Sequence, residues 1–210
     1  MRNRINYIDF QDGMIKFGVF QLSDVLKSYP HFDSKRLNEW QQKGYITKLI
    51  NGRYIFNSIL VDESVLFQMA NILLHPSYVS LESALSYYHF IPEQSFSVTS
   101  ITTQKTKSYT TPKGNFNYQS VKEPLYFGYK VLQTSSRPIL IAEPEKAILD
   151  LLYLQSNLNN KEALEALRLN NEELKTLDYQ KMGTYLKLFD SSALVERFQI
   201  FKEVTNVGTV

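Results

Sequence analysis

Along the first sixty residues the apolar positions change period twice. Ile5, Ile8, Phe10, Met14 and Ile15 form an imperfect helical stripe across 5–16, broken at Gly13. A short apolar run, Phe17 to Phe20, leads into Leu22, Val25 and Leu26 at i, i+3, i+4 spacing, which predicts a second, short helix. Pro30 stops it, because proline disfavours helical geometry in the residue before it. Asp33 and Ser34 both offer N-cap oxygens to a third helix running through Lys43, and Gly44 suits its C-terminal stop. Beyond Gly44 the residues are β-rich on either side of Asn51-Gly52, a pair that tolerates the positive φ of a two-residue hairpin turn. That turn predicts Ile50 opposite Arg53, Leu49 opposite Tyr54 and Lys48 opposite Ile55, with Lys48 and Arg53 on one face.

The remaining chain alternates differently. Helical stripes cover 62–74 and 81–89, the second capped by Ser80. Strand-like alternation then occupies 96–102, 107–111, 115–121 and 125–132, which reads as a meander of about four antiparallel strands. The apolar run 138–142 predicts a buried strand leading into a helix at 143–153. Pro144 suits that helix's first turn, and Glu143 and Glu145 favour the positive end of its dipole. Further helical stripes fill the tail. The predicted fold is α+β: a winged helix-turn-helix over 1–58, then a larger mixed domain over 59–210 with an antiparallel sheet and flanking helices.

Within the first domain, Leu37 and Trp40 fall on one face of the third helix, and Lys35, Asn38 and Gln42 on the other. Long donor side chains with few acids suit base edges and phosphates. The candidate DNA-contacting set is Ser34, Lys35, Asn38 and Gln42 on that helix with Lys48, Asn51 and Arg53 on the hairpin. Charge distribution agrees. Residues 1–60 carry nine Lys/Arg against five Asp/Glu, and 95–137 carry six against one, although the whole chain is only +2. Lys105, Lys107 and Lys113, expected together on one loop side, are a further candidate nucleic-acid contact, with a solvated loop as the plainer reading.

Composition narrows the chemistry. The absence of cysteine rules out disulfides, cysteine-ligated zinc and thiol catalysis. His31, His75 and His89 stand alone, without metal-ligand spacing. No Gly-rich phosphate loop precedes a Gly-Lys-Ser/Thr, and the Gly-Ser turn of a nucleotidyltransferase is missing. Glu143, Glu145, Lys146 and Asp150 combine acids with a lysine, but not at nuclease spacing; helix-end placement explains the glutamates, and Asp150 reads as structural. The expectation is a non-enzymatic protein without metal or cofactor. No apolar stretch long enough for a signal peptide or a membrane span occurs, so a cytoplasmic location without membrane association is expected.

Three ordered stretches, Tyr78 to Glu93, Val98 to Lys107 and Ile139 to Asp150, resemble the AbiEi family, antitoxins of bacterial abortive-infection (type IV toxin–antitoxin) systems used in phage defence. The resemblance covers roughly 15–155. It implies a transcriptional autorepressor whose winged helix binds inverted repeats in its own promoter. It also implies a larger domain that counteracts a nucleotidyltransferase-like toxin, without a stable complex with it. By position, the family's DNA contacts fall on the helix and hairpin residues already named, although the hairpin lacks the consecutive arginines of some members. The alternative is a one-component winged-helix regulator whose second domain binds a small ligand.

Overall fold

Helix α1 (Tyr7–Met14) starts where the Asn6 side chain accepts the Asp9 backbone N–H, and it closes in a short 3₁₀ turn at Ile15–Phe17. The structure, a computed structural model, describes residues 5–92 and 97–205. Strand β1 (Val19–Gln21) follows, then α2 (Leu22–Ser28), α3 (Lys35–Gln42) and the hairpin strands β2 (Ile46–Ile50) and β3 (Arg53–Phe56). The first expected helix is thus shorter than 5–16, and the apolar run after it becomes a strand. At the start of α3 only one expected cap forms: the Asp33 carboxylate accepts the Lys35 N–H at 3.0 Å, while the Ser34 hydroxyl makes no cap bond.

The three strands form an antiparallel sheet in the order β1-β3-β2. Ile50 lies opposite Arg53 as expected, but the next pair is Lys48 with Tyr54, because Leu49 is bulged out of the ladder. One extra residue moves every following side chain to the other face. Phe20, Ile46, Tyr54 and Phe56 therefore join Phe10, Met14, Val25, Leu37 and Trp40 in an N-terminal hydrophobic cluster. Val19, Leu49 and Ile55 face the opposite way, into the large core of the remaining chain. The small sheet is consequently buried on both sides.

That larger part begins with α4 (Glu63–Leu73), β4 (Ser77–Val79) and α5 (Leu81–Tyr87), then β5 (Ser97–Thr102), β6 (Lys107–Thr111), β7 (Gly114–Ser120), β8 (Tyr129–Leu132) and β9 (Ile139–Ala142). Five helices complete it: α6 (Pro144–Leu154), α7 (Lys161–Glu165), α8 (Asn171–Leu174), α9 (Tyr179–Phe189) and α10 (Ser192–Thr205). The expected strand start at Phe96 and the end of the first resemblance stretch at Glu93 lie outside the described residues.

The six strands order as β6-β7-β5-β4-β9-β8, and the sheet is mixed rather than an antiparallel meander. β7 runs parallel to β5, and β4 parallel to β9. Burial explains the swap of β6 and β7. Phe116 and Tyr118 on β7 are buried rings that need neighbours on both sides, whereas Lys107, Ser108 and Thr110 on β6 tolerate the edge. Helix α4 covers one face, where the Tyr118 hydroxyl donates to the Ala70 carbonyl at 2.7 Å. Helix α6 covers the other, against Tyr78. Lys105 and Lys107 lie at one end of β6 and Lys113 at the other, in the β6–β7 turn, so these three lysines do not form one cluster.

Polar ties hold the two parts together. The Arg53 Nε donates to the Ile72 carbonyl at 2.7 Å. That carbonyl is in the last turn of α4, where oxygens lack helical partners and a cation meets the negative dipole end. Arg137, in the β8–β9 loop, pairs with Asp24 on α2 and lies 5.1 Å over the Phe17 ring. Within the larger part, the Gln68 amide bonds Thr134 and Ser136 at 2.9 and 2.8 Å, and this pairing meets the N-terminal part at Gly18. Gly18, at φ +63°, passes so close that a Cβ there would meet Gln68 and Ser136 at 3.1 and 3.2 Å.

Candidate nucleic-acid interface

Helix α3 divides by face as its spacing requires. Leu37 and Trp40 are buried; Trp40 packs against Phe10, Tyr7 and Phe32 with ring centroids 4.5, 5.6 and 5.8 Å away. Ser34, Lys35, Asn38 and Gln42 are exposed on the outer side. Gln41 adds a feature that spacing alone did not single out. Its amide donates to the Leu37 carbonyl at 3.1 Å and to the Asn38 Oδ1 at 3.3 Å, which restrains the Asn38 rotamer on the helix surface. Lys43, exposed at the C-terminal end of α3, extends the cationic surface.

The hairpin splits its expected members. Lys48 is exposed and shares the sheet face of Ile46 and Tyr54, the side against which α3 packs. Asn51 is exposed at the tip, beside Gly52 at φ +75°. The tip does not stand free: the Gly52 carbonyl accepts the Leu22 N–H at 2.9 Å, which ties it to the start of α2. Arg53 leaves the set. The Leu49 bulge sends it to the opposite face, where it is half-buried and bonded to α4. Its role is therefore to join the hairpin to the larger core. Arg53→Ala is expected to cost about 1.5–3 kcal/mol of stability, the range for hydrogen bonds to charged groups. A denaturant midpoint measured beside the wild type checks this; an unchanged midpoint would remove the joining role.

A second polar constellation lies at the centre of the larger core. Asp150 accepts hydrogen bonds from the Ser80 hydroxyl at 2.9 Å, the Tyr78 hydroxyl at 3.0 Å and the Lys146 ammonium. Lys146 also donates to the Tyr78 oxygen at 2.8 Å and lies 4.8 and 4.9 Å over the Phe127 and Phe189 rings. Burial pushes the Asp150 carboxyl up and the Lys146 amine down, and the charge of each opposes the shift of the other. Burial and the Asp150 carboxylate together raise the Tyr78 phenol. Lys146 and Asp150 have no solvent-exposed surface, and the group ties β4 and the start of α5 to α6 as a core clamp. The Asp150 carboxylate meets two hydroxyls, those of Tyr78 and Ser80. In the sequence Lys146 stands out as a lysine among Glu143, Glu145 and Asp150, with Asp150 four residues on.

Glu143 and Glu145 do more than begin a helix. Lys181 bridges them at 3.0 and 3.2 Å, Glu145 accepts the Asp178 N–H at 3.1 Å, and Glu143 accepts the Tyr185 hydroxyl. They fasten α9 to α6. Partial burial alone would raise the Glu143 carboxyl, but the bonds from Tyr185 and Lys181 outweigh it and hold it below its ordinary value. Burial and the same carboxylate push Tyr185 up to about 12.

Among the described residues, no group of three or more His, Cys, Asp or Glu side chains is placed to hold a metal ion. Nor is any described helix long and apolar enough to cross a membrane. The chain matches no protein-family model and no curated protein.

Proposed function

We propose that this chain binds double-stranded promoter DNA as a winged helix-turn-helix protein, with α3 in the major groove and the β2–β3 hairpin as a short wing. The observation that carries this reading is the exposed row Lys35, Asn38 and Gln42 on a helix whose other face is locked by Trp40, with Lys48 projecting from the sheet face beneath that helix. Element order supports it: helix, short strand, two helices and a hairpin, with the first strand paired to the last. So does the Gln41–Asn38 bond, since an amide held at the surface is prepared for the paired donor and acceptor of an adenine edge.

The wider role we propose is that of a cytoplasmic AbiEi-like antitoxin, which represses its own operon through inverted repeats and counteracts a nucleotidyltransferase-like toxin without a lasting complex. The three resembling stretches support it jointly. They fall on β4–α5, β5–β6 and β9–α6; β5, β4 and β9 are neighbours in the sheet, and the first and third stretches meet at the Tyr78–Ser80–Lys146–Asp150 clamp. A shared sequence pattern of this kind describes one packed unit. A second reading, a one-component regulator with a ligand-binding larger domain, draws on a cleft beside α4.

Gel shifts on the promoter of the chain's own operon, across a salt series, test the DNA reading. Lys35→Ala and Lys48→Ala should each weaken binding on all sequences and flatten the log–log salt slope by about 0.9, one phosphate contact apiece. Slopes unchanged in both variants would remove this surface from the DNA. Arg53→Ala should leave the slope as it is.

A further inference from the structure

A cleft of about 350 Å³ opens between the first turns of α4, the end of α5 and strand β8 with the loop that follows it. Its volume suits a small molecule rather than a peptide. Phe67 and Tyr87 form its inner wall as an edge-to-face pair with centroids 6.0 Å apart, and Val131 and Leu132 form the facing wall. Val131 is half exposed at the rim. Among the described residues Glu63 is the one charged side chain lining the cleft, and neighbouring Asp62 adds to its negative potential; His89 is the basic group that acts on Glu63. Aromatic walls with a carboxylate, and no lining cation among the described residues, complement a flat ring bearing a positive charge.

Thr134 also lines the cleft, and it begins a chain of bonds towards the N-terminal helices. Its hydroxyl donates to the Arg137 carbonyl at 2.8 Å and accepts from Gln68 at 2.9 Å. Ser136 donates to the same Gln68 at 2.8 Å, and Arg137 pairs with Asp24 on α2. The β8–β9 loop thus touches a ligand-sized space with one end and the proposed DNA-binding part with the other.

We propose that this cleft binds a small aromatic amine, and that its occupancy is transmitted through Thr134 and Arg137 to α2. The proposal deepens the ligand-binding reading and is tested without DNA, so its failure is separate from failure of the promoter-binding surface. Amide NMR titration of the full chain with tryptamine should give saturable shifts at Tyr87 and Val131 to Thr134. Asp24 and Arg137 should shift along the same binding curve. Indole-3-acetate, a similar ring carrying the opposite charge, should bind more weakly. Glu63→Gln should weaken tryptamine roughly fivefold, the upper range for a solvent-screened ion pair. Val131→Trp should block binding while leaving thermal unfolding unchanged. Absence of saturable shifts, or equal binding of the acid and the amine, overturns the site. Saturation at the cleft with silent Asp24 and Arg137 amides overturns the transmission.

Discussion

Asp150→Ala is expected to lower the unfolding free energy by about 3–5 kcal/mol, the cost of breaking a buried ion pair from one side. Removal of the carboxylate leaves the Lys146 ammonium fully buried without its counter-charge, and it takes the acceptor from the Tyr78 and Ser80 hydroxyls. The aromatic faces of Phe127 and Phe189 compensate only part of that charge. Lys146→Met added to Asp150→Leu should recover some of the loss, because two apolar side chains need no partners. Recovery stays incomplete, since both hydroxyls remain without the acceptor. The test is the denaturant midpoint at constant slope. A loss below about 1 kcal/mol, the scale of an ordinary neutral hydrogen bond, would show that the pair does not clamp the core.

Asn38→Ala should act on discrimination and leave stability nearly unchanged. If its amide pairs with a base edge, the variant loses about 1–3 kcal/mol between operator and unrelated DNA. Its salt slope should match the wild type, because no phosphate contact is removed. Gln41→Ala should produce a weaker version of the same change, as it frees the Asn38 side chain without deleting it. Competition binding with specific and scrambled duplexes separates these outcomes from the Lys35 and Lys48 effects. Equal discrimination in Asn38→Ala and wild type would take α3 out of base reading.

Asn38 and Lys146 mark how legible the chain was. Asn38 could be placed from spacing alone, because Leu37 and Trp40 fix which side of α3 turns inward. Lys146 could not. Its aspartate partner stands four residues on in the same helix, but the tyrosine and two rings that close around it come from distant segments. The strand meander misled for a related reason: alternation identifies strands but carries no information on neighbours. Which of β6 and β7 takes the inner position depends on what α4 leaves to be covered.

By itself the sequence determined the elements whose causes are local: the cap at Asp33, the stop at Gly44, the Asn51-Gly52 turn and the two faces of α3. Each depends on neighbouring residues and on the backbone angles they allow. Only the tertiary structure decided that Leu49 bulges, so that Lys48 stays beside α3 while Arg53 turns to the end of α4. A sheet buried on both faces must supply apolar side chains to two cores at once. In the hairpin one residue out of step satisfies both, and that demand arises from the partner core rather than from the hairpin's own residues.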